Sequence, residues 1–128
     1  MTEPHTVQSL DFATAVGLWR IEGTSGTSYT IHVDARLVLR KPAPGAATGP
    51  YDGCWMHLVG VASTEEVDVL RCGRRHRWDL DPAPGEPGFT IWWIQTEVTA
   101  IVELRPTERP DGHLPGPRDD LTGFQSGR

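Results

Sequence analysis

The sequence predicts a mainly β protein, a small antiparallel meander of about seven strands forming a partly open barrel or a two-layer sheet. Three observations predict it. From Leu18 to Lys41, LWRIEGTSGTSYTIHVDARLVLRK, apolar residues fall at alternate positions, the period at which a strand points its side chains to opposite faces. The apolar runs there are joined by short reversals, as in consecutive hairpins. Later, Phe89 to Leu104, FTIWWIQTEVTAIVEL, is rich in β-branched and aromatic residues and holds neither Gly nor Pro.

Taken in order, residues 1–17 form an N-terminal segment. Within it, Ser9 to Val16 suits either a short helix capped by Ser9 or a first strand. The β domain runs over 18–105. Its first strands lie around Trp19–Glu22, Tyr29–Val33 and Leu37–Arg40. Trp19 and Ile21 share one face, Tyr29, Ile31 and Val33 another, and Leu37 and Leu39 continue the alternation. Thr24-Ser25-Gly26 is a hairpin loop in which Gly26 takes positive φ, and Asp34-Ala35-Arg36 is a second reversal.

Residues 42–53, PAPGAATGPYDG, are too rich in Pro and Gly for a strand to cross them. Strands resume at Trp55–Val61 and Glu66–Cys72, joined through Ser63-Thr64-Glu65. Arg75–Leu80 adds another, with His76, Trp78 and Leu80 on one side. Asp81–Gly88 is a second breaker loop. Phe89 to Leu104 would be an unusually long single strand, so a bend near Gln95–Glu97 divides it. Residues 106–128 offer few large apolar side chains and are expected to form a disordered tail whose deletion barely moves the melting temperature.

Bulk composition narrows the function. With 128 residues the chain is one domain long, and 38% hydrophobic residues, Trp among them, supply a core without metal or disulfides. A net charge of −5 argues against a generic polyanion binder. Lys41 is the sole lysine, so arginine here reflects GC-rich coding as much as chemistry. Cys54 and Cys72 are expected to be free thiols, with Cys72 buried. The N-terminus has no signal-peptide pattern, and no run reaches the ~18 apolar residues of a membrane span. A soluble, cytoplasmic protein without a membrane partner is the expectation.

The arrangement Trp19…Thr24-Ser25-Gly26-Thr27…Tyr29…Val33-Asp34…Arg40 resembles a group of small β-rich proteins of actinobacteria and their phages. These share a W-x-V-x-T-x-S-G-S-x-Y-x-[LV]-D hairpin and a closing strand of the type T-x-[VI]. Thr96-Glu97-Val98-Thr99-Ala100-Ile101 is similar to that closing strand. The resemblance spans residues 18–104, with Gly23 altering the spacing of the turn. It implies a β fold and an actinobacterial or phage source, and adds no catalytic residue.

Two motifs carry candidate chemistry. Arg71-Cys72-Gly73-Arg74-Arg75-His76-Arg77-Trp78 concentrates positive charge in an acidic chain. Arg71, Arg74, Arg75 and Arg77 suit phosphate contacts, with Trp78 as a stacking platform. The plainer alternative is a solvated hairpin turn with Gly73 at its tip. Trp92 and Trp93 are adjacent, so on a strand they face opposite ways, and a one-sided core leaves one of them outside. An outward indole suits a protein contact; burial on both faces is the alternative.

The remaining groups are weaker. His5, His32, His57, His76 and His113 lack the mutual spacing of metal ligands. No nucleophile elbow accompanies Cys54 or Cys72. The acidic neighbours Glu65 and Glu66, and Asp79 and Asp81, sit at turns or breakers, where solvation explains them. No catalytic residue, metal or cofactor is therefore expected. The sequence points to a non-enzymatic binding or assembly module, of phage origin by the resemblance. Its partner is a protein or a second copy; the alternative is a nucleic-acid-binding barrel using the Arg71–Trp78 hairpin.

Overall fold

A computed structural model describes residues 5–82 and 90–113. Among them are ten strands and no α-helix: β1 (Thr6–Val7), β2 (Ser9–Asp11), β3 (Leu18–Gly23), β4 (Ser28–His32), β5 (Leu37–Lys41), β6 (Trp55–Ala62), β7 (Val69–Arg71), β8 (His76–Asp81), β9 (Ile91–Gln95) and β10 (Val98–Leu104). Eight form one sheet in the order β1-β10-β3-β4-β5-β6-β8-β9, and β2 pairs with β7 as a second, two-stranded sheet. All these pairings are antiparallel. The large sheet ends at β1 and β9, which do not pair, so it is not a closed barrel.

The N-terminal alternative resolves in favour of a strand. Ser9–Asp11 pairs with Val69–Arg71. The chain then turns, because the Asp11 carboxylate accepts the Ala13 amide at 2.9 Å and the Asp11 carbonyl accepts the Ala15 amide at 2.8 Å. The carboxylate bond is an Asx turn, and the Ala15 bond is a single helical turn that goes no further. Gly26 has φ +88° and its amide donates to the Gly23 carbonyl, closing the β3–β4 hairpin. The expected bend also appears: β9 ends at Gln95 and β10 begins at Val98. The breaker loop lies largely, and residues 1–4 and 114–128 wholly, outside the described residues.

The sheet curls around its core. Tyr29 on β4 stacks on Trp78 of β8 at 4.9 Å and 5°, although β5 and β6 lie between those strands. Trp19, Ile21, Ile31, Val38, Met56, Leu58 and Leu80 fill the concave face. Leu10, Phe12 and Leu70 from the small sheet cover the open side. Asp68 sends β7 there. Its φ of +57° turns the chain out of line with β6, and its carboxylate accepts the Val61 amide at 3.2 Å.

The alternation at β5 differs from expectation. Val38, fully buried, faces the main core, while Leu37 and Leu39 face outward. Leu39 is nonetheless buried, because Leu18, Leu39, Trp55 and Leu104 form a second apolar cluster on the convex face. The segment 105–113 packs over it. Pro106–Glu108 is a short 3-10 turn, the Arg109 guanidinium lies 4.9 Å over the Trp55 ring, and the Trp55 amide donates to the His113 carbonyl at 2.7 Å. Gly112 permits the approach: a Cβ there would sit 2.9 Å from the Gly53 carbonyl. Few apolar residues are needed, since the segment buries the sheet's hydrophobic surface rather than its own.

Arg40 shares the concave face with Tyr29, opposite which it pairs. Burial pushes the Tyr29 hydroxyl above its ordinary pKa, and its hydrogen bond to Arg40 opposes that shift. The Arg40 charge is met by Asp52 at 2.6 Å, and Asp52 also accepts the Gly49 amide at 2.7 Å. This pair anchors the Pro/Gly-rich loop over the end of the core.

Candidate binding surface

Arg71–Trp78 is not the expected hairpin: β7 pairs with β2 and β8 with β6 and β9, and the turn at Gly73 carries the chain from the small sheet to the large one. Gly73 has φ +85°, and its amide donates to the Val98 carbonyl at 2.8 Å, tying the turn to β10. Along β8 the alternation is as the sequence indicates: His76, Trp78 and Leu80 are buried, while Arg75 and Arg77 are exposed.

Trp78 is therefore no stacking platform. It is fully buried against Tyr29, and its Nε1–H donates to Gln95 Oε1 at 3.1 Å. Most of the arginines have carboxylate partners. Arg71 grips Glu66 through two bonds of 2.7 and 2.8 Å. Arg74 meets Glu65 at 2.6 Å, and Arg77 meets Asp79 at 2.9 Å. The Arg71 guanidinium holds the Glu66 carboxyl below its ordinary pKa. Exposed pairs of this kind contribute little stability, but they neutralise the positive charge that the sequence concentrates. Arg75 is exposed and makes no ion pair with a described residue. It lines a shallow depression of about 270 Å³ with Ser63, Thr64, Gly73, Arg74 and Glu97, where a carboxylate again offsets the guanidiniums.

His76 sits under this turn, 2% exposed. Its Nε2 accepts the Arg71 amide at 3.2 Å, which puts the proton of the neutral ring on Nδ1. His76 Nδ1 and Gln95 Nε2 are buried without a hydrogen-bond partner, opposite each other across β8 and β9. Burial lowers the His76 pKa to about 4; the nearby Glu66 opposes that shift and Arg74 adds to it. The unfolded chain takes up this proton near pH 6.5. Between these values the unfolded state binds more protons, so stability is lost as pH falls from about 6.5 towards about 4. The full difference amounts to about 3 kcal/mol. Urea titrations from pH 7 to 5 should show about 2 kcal/mol of this loss in the native sequence and a flatter dependence in His76→Phe; equal slopes would contradict it.

The adjacent tryptophans separate as strand geometry requires. Trp93 turns inward, half-buried, with its ring 5.6 Å from Tyr29. Trp92 turns outward and is 57% exposed. Ile94, 62% exposed, lies two residues along on the same face. The sequence pattern Ile91-Trp92-Trp93-Ile94 holds that signal, since alternation puts Ile94 beside the outward indole. Arg77 pairs across from Ile94 and Asp79 from Trp92, and the Arg77 guanidinium lies 4.8 Å over the Trp92 ring.

Cys54 and Cys72 are free and half-buried. Cys72 is thus less enclosed than its alternation with Leu70 implies, although desolvation still raises its pKa. No cluster of three His, Cys, Asp or Glu side chains that could hold a metal occurs among the described residues, and no helix there is long and apolar enough to cross a membrane. Comparison with protein-family models, curated proteins and solved structures finds no match.

Proposed function

We propose that this domain is a non-enzymatic protein-binding or assembly module whose contact surface is the convex face of β8 and β9 around Trp92 and Ile94. The observation that carries this reading is the pair of large apolar side chains, 57% and 62% exposed, side by side on one strand. An indole held by a rigid sheet, with an aliphatic neighbour and a guanidinium against its ring, has the composition of an interface hot spot. The hairpin resemblance to phage and actinobacterial proteins is compatible with an assembly role. Nucleic-acid binding has less support, since Trp78 is buried and Arg71, Arg74 and Arg77 are engaged by carboxylates.

The test compares the full chain with a Trp92→Ala, Ile94→Thr double variant as bait. Both should melt within a few degrees of each other, because exposed side chains contribute little to folding. The native bait should retain a protein partner that the variant loses. Identical captured sets from equally folded baits would overturn the reading. Salt-sensitive binding of oligonucleotides, weakened by Arg75→Ala and indifferent to Trp92, would support the nucleic-acid alternative instead.

A further inference from the structure

The two edges of the large sheet are not alike. At one end, β1 has only Thr6 and Val7 before the chain leaves for the small sheet. Such a short edge offers little to a further strand. At the other end, β9 presents Ile91-Trp92-Trp93-Ile94-Gln95, paired among the described residues only with β8. Its register with β8 is unbroken from His76↔Gln95 to Leu80↔Ile91. The strand contains no Pro, no charge and no bulge, which are the usual devices that keep an edge from accepting another strand. Other strands of the sheet do show bulges, between Leu58 and Gly60 on β6 and between Val98 and Ala100 on β10. The edge that would benefit most from one lacks it.

Resting on the protein-binding reading above, we infer that the partner at this surface is a second copy of the chain, joined by antiparallel pairing of β9 with β9 about a twofold axis. Three features select that occupant. A twofold axis perpendicular to the sheet keeps convex faces together, and centring it on Trp93 pairs the whole strand: Ile91 with Gln95, Trp92 with Ile94, and Trp93 with itself. Each exposed indole then covers the other copy's exposed isoleucine, so the two apolar groups bury each other twice. Such an isologous contact is what the patch's self-complementarity requires. The charge also fits. Each chain carries −5, yet the patch is locally neutral, because Arg77 and Asp79 pair beside it. Two acidic copies can meet there without opposing like charges, whereas the patch offers no net charge to select a basic or acidic stranger.

The experiment is sedimentation velocity on the full chain from low micromolar to about millimolar concentration. It is run beside Ile94→Lys, which places a charge on the edge, and Trp92→Ala, with circular dichroism to confirm that each variant is folded. The expected result is a concentration-dependent dimer in the native sequence, weakened at least about tenfold by either substitution. Hydrogen exchange gives the pairing itself: amides between Ile91 and Gln95 should gain protection at dimer concentrations. A monomer throughout, a dimer indifferent to both substitutions, or a dimer with unprotected β9 amides would each overturn the inference. A monomer that still loses a captured partner on Trp92 substitution would leave the protein-binding reading standing, so the two failures are separable.

Discussion

Trp78→Ala is expected to destabilise the domain by about 3–5 kcal/mol, the range for removing a buried aromatic side chain. The indole is fully buried, stacked on Tyr29 at 4.9 Å, and bonded to Gln95. Its loss opens a cavity and also leaves Gln95, whose Nε2 already has no partner, without its remaining side-chain bond. An unsatisfied buried amide adds its own penalty. Trp92→Ala, one strand away on the opposite face, should cost less than about 0.5 kcal/mol. Urea denaturation of the two variants measures the contrast. A small effect at Trp78 would mean that the curl of the sheet does not depend on this contact.

Truncation gives the second large effect. A chain ending at Arg105 should melt well below one ending at His113. The residues between cover Trp55, Leu39 and their neighbours, and uncovering them should cost about 2.5 kcal/mol, roughly the value of one fully buried large apolar side chain. In a domain of this size that is a shift of about ten degrees. Gly112→Val should reproduce part of the loss, because its side chain would strike the Gly53 carbonyl. Equal melting temperatures for the two truncations would show that the docked segment contributes nothing. They would also agree with the sequence-based expectation that everything beyond Arg105 is dispensable.

That expectation rests on composition, which leaves out what the segment packs against. Composition records what a segment can bury of itself, and 105–113 has little to bury. It does not record that Leu18, Leu39, Trp55 and Leu104 meet on the convex face, because those residues come together only through the pairing of β10, β3, β4, β5 and β6. Local alternation is enough to place His76, Trp78 and Leu80 inside and Arg75 and Arg77 outside, and the length of the Phe89–Leu104 run is enough to require the bend near Gln95–Glu97. At β5 it could not say which of two apolar faces is the main core, since Val38 and Leu39 are both apolar and both buried. For the candidate surface, adjacency of Trp92 and Trp93 puts the two indoles on opposite faces, but whether either is exposed, and which, depends on what packs against each face of the sheet. For the arginine cluster, Glu65, Glu66 and Asp79 are visible in the sequence, but their pairing with Arg74, Arg71 and Arg77 depends on how the chain turns between β7 and β8.

The position of β10 also governs how the protein reaches its native state. Thr6 pairs with Val102, and Leu18 pairs with Leu104 from the other side, so a strand made late in synthesis separates two made early. Neither early strand can hold its final neighbour until that late strand arrives between them. β3, β4 and β5 can form hairpins as they emerge, but the sheet cannot be completed at the β1 edge before nearly the whole chain exists. Contacts this distant in sequence slow folding through the entropy of closing a long loop. Refolding should therefore proceed on the millisecond-to-second scale of non-local β proteins. Substitutions at Val102 should slow refolding less than equally destabilising ones in the β3–β4 hairpin if the hairpin forms first.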